Sequence, residues 1–257
     1  MSDLALSLIV AGCVFSGGVV GLHLHRVLPP HHLAKETLDV IRLGTGMVSV
    51  LASLVFGLLI ATAKSGADSA AHDMRAYAAD TILLDRTLRG YGADAAEARM
   101  LLRRTTERTL HDLWPRPGEN FVGIDDPSAA DLLAGVQGAI DALHPAGPQQ
   151  TWLQQGALQQ SSSLVRQRWL LIEQEGPNVQ PTILAVLITW TFAIFVSFGL
   201  NAPRNATVVG AFLMTSLAIG GAVFLILEMD SHFEGLLRLS ELPLRNALAQ
   251  LGGADPS

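Results

Sequence analysis

The chain is 257 residues long, 49% hydrophobic and only 16% charged, with a formal net charge of −6 at pH 7 and one cysteine. Soluble globular chains carry about 25% charged residues, so this balance points to a membrane protein with a soluble insert. The acidic net charge and the lack of a basic stripe argue for no nucleic acid among its partners, and a lone Cys13 excludes an intrachain disulfide.

Four windows contain no Asp, Glu, Lys, Arg or His: Leu4 to Leu22, Leu43 to Ala63, Thr182 to Leu200 and Thr207 to Leu227, of 19, 21, 19 and 21 residues. As helices they are about 28–32 Å long, which matches a hydrocarbon core of about 30 Å. Lipid offers no hydrogen-bond partners to a backbone, so the helix is the expected form. The sequence Val10-Ala11-Gly12-Cys13 resembles a lipoprotein cleavage site. No positive residue precedes it, however, and the apolar run continues to Leu22, so an uncleaved first span is expected.

In chain order, span one (about 4–22) is followed by a connection, His23 to Arg42, that includes Pro29-Pro30. Span two (about 43–63) closes a first hairpin over residues 1–63. An insert over residues 64–181 follows and reads as helical. From Ala67 the small and apolar positions recur at i, i+3, i+4 spacing up to Gly90-Tyr91-Gly92, and nothing breaks the chain between span two and this helix. A second insert helix fits Asp94 to Trp114, with Asp94 as N-cap and Pro115-Arg116-Pro117-Gly118 as its stop. A third has Asp126 as N-cap and Pro127 at the first helical position, stopping near His144-Pro145. A fourth fits about Gln149 to Glu175 and ends at Gly176-Pro177, with Ser161-Ser162-Ser163 in its interior. The second hairpin, residues 182–227, pairs spans at about 182–200 and 207–227 through Asn201 to Ala206. A tail over 228–257 is amphipathic to Leu251 and broken near Pro243.

Small residues recur at every fourth position in three spans: Gly17 and Gly21; Ser49, Ser53 and Gly57; Ala185, Thr189, Ala193 and Ser197. Such ladders let helix backbones approach closely. They fit packing within one chain, contact between copies, or a stripe facing a pore. No span holds an ionisable residue, which argues against proton-coupled transport and leaves room for a passive pore. Ser49, Ser53, Phe56 and Gly57 are therefore the candidate pore or helix-packing residues. Asn201, Pro203, Arg204 and Asn205 are the candidates for the inter-span turn or a mouth. Asn205 fits the N-cap of span four and Arg204 the headgroup level.

The remaining polar groups read more blandly. His23, His25, His31 and His32 cluster after span one, but i and i+2 do not share a helical face, so solvated interfacial histidines are expected and no metal site is assigned. Glu228, Asp230 and Glu234 read as an acidic interfacial rim. Arg168 and Trp169, with Arg166 upstream, read as interfacial anchors; Arg168 also has Glu173 and Glu175 within reach on its helix. No phosphate loop, nucleophile elbow or Cys/His quartet is present, so no enzyme, no catalytic residue and no cofactor is expected. Lys and Arg near the span ends number four beside the short connections and six beside the insert and tail, while their density runs the other way. The positive-inside rule thus leaves the orientation open.

Five stretches together carry a resemblance: GLLIATAKS, DTILLDRTLRGYG, RWLLIEQ, SFGLNAPRNATVV and FLILEMDSHFEGLLRLSELPLRNALAQL. In order and spacing they resemble the bestrophin-like membrane family, bacterial proteins of unknown function, over nearly the whole chain from about Leu43. The tail departs from the usual family form at Ser231, His232 and Glu234. The resemblance implies an all-α integral membrane protein of four transmembrane helices in two hairpins, with a helical extramembrane insert, located in the bacterial inner membrane. By distant similarity to the pentameric anion channels that give the family its name, it implies a homo-oligomer, a pore lined by span two, inorganic anions as the permeating species, and an insert on the cytosolic side. Span two offers one aromatic for such a pore, Phe56. The alternative is a non-conducting membrane scaffold or sensor whose insert binds a partner or ligand.

Overall fold

A computed structural model describes residues 3–29, 34–115, 127–173, 180–230 and 238–252. Every regular element among them is helical, and the chain is all-α. The helices are α1 (Asp3–Val27), α2 (Lys35–Tyr91), α3 (Ala96–Leu113), α4 (Pro127–Asp141), α5 (Pro148–Glu173), α6 (Pro181–Asn201), α7 (Ala206–Asp230) and α8 (Leu242–Leu251), with a short 3-10 turn at Ala93–Ala95. Four of them, α1, α2, α6 and α7, are long and apolar enough to cross a membrane. The chain divides into two compact units: residues 1–67 with 177–231, and residues 68–176 with 232–257.

The first unit holds the four spanning segments. Gly17, Gly18 and Gly21 of α1 place its backbone directly against α6 and the Phe212 ring of α7. A Cβ on Gly21 would collide with the Val196 carbonyl and lie 2.8 Å from the Gly199 Cα, and one on Gly199 would collide with the Gly18 carbonyl. Without a hydrophobic force between helices in lipid, this closeness is what gains dispersion contact. Gly220 of α7 does the same against Ala11 and the Ser7 carbonyl. Around these contacts lie Val10, Val14, Leu184, Phe195, Phe212 and Val223, with the Phe195 and Phe212 rings 5.8 Å apart. A second cluster joins Ala52, Leu59 and Ala63 of α2 to Leu187, Ile194 and Ile226.

The second unit packs the later part of α2 with α3, α4, α5 and α8 around Met74, Tyr77, Leu84, Leu88, Leu102, Val136, Leu164 and Leu171. Gln154 holds the end of α4, donating its amide to the Ile140 and Leu143 carbonyls (both 3.0 Å). Trp114 donates its indole N–H to the Leu239 carbonyl at 2.9 Å. Within the unit Asp85 is a buried carboxylate held by Arg89 at 2.8 Å and Arg99 at 3.0 Å.

Three local expectations are corrected. Asp94 is not an N-cap: Gly92, at φ +115°, turns the chain, the Ala95 N–H bonds the Gly92 carbonyl, and Asp94 falls inside the resulting 3-10 turn, so α3 starts after Ala95. The tail is broken near Pro243 as expected: residues 238–241 lie outside any helix and α8 starts at Leu242, with Pro243 in its first turn, where a missing N–H leaves no bond unmade. Arg168 is not an interfacial anchor; it is 5% exposed inside the second unit, whereas Trp169 is exposed. Glu228 is no solvated rim residue, being buried at the end of α7. Arg116, Pro117, Gly118, Asp126, His31, His32, Glu175, Gly176, Pro177, Ser231, His232 and Glu234 lie outside the described residues.

Candidate functional site

The exposed side of span two is the first place to look. In its most apolar stretch only 17% of residues are buried, against 44% for α6. The two serines bond to their own helix: Ser49 donates to the Thr45 carbonyl at 2.8 Å and Ser53 to the Ser49 carbonyl at 2.9 Å. Ser53 and Gly57 are exposed and Ser49 is half-buried. Phe56 turns away from them and packs into both apolar clusters of the unit. Gly46 lies seven residues before Ser53, and so on the same side, a position that the Ser49–Ser53–Gly57 spacing does not include. All three glycines of this span, Gly44, Gly46 and Gly57, have open space where a Cβ would stand. Beside them run exposed Met47, Val50, Leu54 and Leu58. On α6 the ladder is divided: Ala185, Thr189 and Ala193 are exposed, while Ser197 is buried and accepts from the Thr45 hydroxyl at 2.7 Å.

The second place is the short connection between α6 and α7. Asn201 donates to the Ser197 carbonyl at 2.9 Å and accepts from Arg42 at 3.3 Å. The Pro203 carbonyl accepts the Asn205 N–H at 3.1 Å. Asn205 Oδ1 accepts the Val208 N–H at 2.9 Å, the bond of an N-cap to the third helical residue. Arg204 donates to the Leu22 carbonyl of α1 at 2.6 Å. His25 Nδ1 lies 3.0 Å from the Leu200 carbonyl, to which it donates when that nitrogen carries the proton. Between α1 and the start of α7 is an open cleft of about 370 Å³, lined by Val19, Leu22, His23, Arg26, Arg204, Asn205, Ala206 and Val209. Arg26, Arg42 and His25 were not selected from the sequence as site residues. His25 and Arg42 bond to the second hairpin and Arg26 lines a cleft with Arg204, positions far apart in the chain, so no local spacing announces them.

The second unit offers a cavity of about 350 Å³ between α4 and α5. Its walls are Ala130, Leu133, Ala134, Gln137, Val165, Arg168, Trp169 and Ile172. The buried Arg168 guanidinium also acts on Tyr77: burial pushes that phenol above its ordinary value, and Thr109 and Arg168 pull it partly back. A more polar groove of about 510 Å³ runs along α2 and α5 past Asp80, Gln159, Gln160 and Trp152.

One match to known families, a bestrophin-like domain over residues 12–244, takes in most of α1, all of α2 to α7 and the start of α8. The chain belongs to the bestrophin-like family. No curated protein and no solved structure matches it. This bestrophin-like chain is a multi-pass membrane protein whose apolar helices meet the lipid bilayer.

Proposed function

We propose that this bestrophin-like protein assembles from several copies around the exposed side of α2 and conducts small inorganic anions across the cell membrane. The observation that carries the reading is the contrast among glycines. Those of α1 facing α6 and α7, and Gly199 itself, are filled to collision distance by neighbouring backbone or side chains. Gly44, Gly46 and Gly57 meet nothing among the described residues; Gly12 of α1 and Gly210 and Gly221 of α7 are open as well, and α2, with three, is the least covered of the four spans. A helix in lipid gains little by exposing glycine, and small residues are enriched where a second helix or a water path comes close. Anion preference is supported by the short-connection side of the first unit, where Arg26, Arg42 and Arg204 gather and Asp39 is paired to Arg42 at 3.5 Å. Cationic groups near a pore entrance raise the local anion concentration.

The test is reconstitution of the pure protein into liposomes with a halide-sensitive dye inside. Chloride influx above protein-free vesicles, reduced by Gly57→Leu, supports the reading. A tight vesicle containing correctly folded oligomer overturns it.

A second reading is favoured by one observation, the cavity between α4 and α5 with a buried guanidinium among apolar walls. There the protein is a scaffold or sensor whose insert takes an apolar ligand bearing an anionic group. Stabilisation of a non-conducting protein by medium-chain carboxylates, lost in Arg168→Leu, supports that reading over the channel.

A further inference from the structure

We infer that the cleft between the end of α1 and the start of α7 binds the phosphodiester headgroup of an anionic phospholipid. Arg26 and Arg204 would grip the phosphate while one acyl chain lies along Val19, Leu22 and Val209. The inference is independent of conduction and concerns a lateral site, not the stripe on α2.

The cleft has a vertical order. Val19, Leu22 and Val209 belong to the charge-free windows, and Arg26 and Arg204 stand just past the ends of such windows. From Val19 to Arg26 is seven residues of continuous helix, about 10 Å along the axis. An apolar wall at acyl depth therefore leads into a cationic end at headgroup depth. Charge is one-sided, since no carboxylate is among the described residues that line the cleft. Arg26 makes no hydrogen bond or ion pair with any residue of the chain among those described, and Arg204 uses one N–H on the Leu22 carbonyl. A guanidinium has five N–H donors, so both side chains keep donors for phosphate oxygens, to which arginine is geometrically matched. His23 adds a further donor at the rim. Val19 and Val209 are exposed, as contact with a lipid chain requires. Free phosphate or another soluble anion would satisfy the arginines but leave the apolar wall unused, which is why the lipid is preferred. A choline headgroup would bring its own cation against the two arginines.

The experiment uses the full-length protein in a mild detergent and counts lipid adducts by native mass spectrometry, with phosphatidylglycerol and phosphatidylcholine in competition. A lysine or arginine near a membrane surface contributes about a fivefold gain in anionic-lipid binding. Wild type should therefore prefer phosphatidylglycerol, Arg26→Gln should lose about fivefold of that preference, and the Arg26→Gln, Arg204→Gln pair should abolish it. Arg245→Gln, a surface control in α8, should keep it. Arg26 is exposed and holds no hydrogen bond or ion pair among the described residues, so its loss does not threaten folding. Should the double variant fail to fold, Arg26→Gln against Arg26→Lys, which keeps the charge, decides alone. Equal retention of the two lipids by wild type, or an unchanged preference in Arg26→Gln, overturns the inference. Displacement of the lipid by inorganic phosphate or glycerol phosphate at equal concentration assigns the site to soluble anions and also overturns it.

Discussion

Single residues decide how closely the spans approach. At Gly21 an added methyl would run into the Val196 carbonyl and stand 3.0 Å from the Leu200 nitrogen, atoms of a helix backbone that cannot step aside. Gly21→Ala should thus destabilise the fold by about 1–3 kcal/mol, as overpacking does, read as a fall in the detergent melting temperature. Gly57→Ala, with open space, should leave the melting temperature of the separated chain unchanged; equal losses in both variants would contradict the packing described. In the second unit, Asp85 is held by two arginines while nearly out of water. Asp85→Asn leaves those cations unbalanced and should cost about 3 kcal/mol, the lower end for breaking a buried pair, measurable by chemical denaturation. Tyr77 gives a pH signature. Its folded-state value is raised above the ordinary 10.0, mainly by burial. Folding therefore favours the neutral phenol, a contribution complete below about pH 10 and lost as the pH climbs through the folded-state value. Wild type should lose stability above about pH 10 more steeply than Tyr77→Phe; parallel curves would exclude that role.

At the level of helices, composition and tertiary partnership differ in what they leave visible in a sequence. Spans were legible because a run of 19–21 residues without charge has one physical home, and α1, α2, α6 and α7 each contain their window. The continuity of span two into the insert was legible too, since no proline stands between Ala63 and Ala67 and the lone Gly66 does not stop a helix. Asp94 was misread because a capping residue type is a local signal, while the 3-10 turn that absorbs it follows from the positive φ of Gly92. Arg168 was misread for the opposite reason. Next to Trp169 and close to a span it looks like an interfacial anchor, yet α5 has polar residues on most sides, and it is packing against α4 that decides which are buried. The same holds for the candidate sites: the Asn205 cap follows from residue type and position, but the approach of Arg42 to Asn201 and of Arg204 to Leu22 is tertiary. One such tertiary bond is testable at this scale. Thr45 and Ser197 join α2 to α6 at 2.7 Å. A double-mutant cycle of Thr45→Val with Ser197→Ala should give a coupling of about 0.6 kcal/mol, the usual worth of such a bond between membrane helices, and zero coupling would remove it as a link between the hairpins.

For the whole molecule, the membrane unit places its tightest packing on α1 and leaves Gly44, Gly46, Ser53 and Gly57 of α2 uncovered. The same residue type, glycine, thus appears in two states within one unit, and in the proposed assembly a second copy or a water path gives the open ones of α2 a role. That is the central claim, and the oligomeric state of the pure protein in mild detergent, resolved by particle imaging, tests it most directly. The expected result is a closed ring of identical copies with Gly46, Ser53 and Gly57 facing the axis or the neighbouring copy. A monomer, or an assembly whose contacts leave that side of α2 facing lipid, would contradict it.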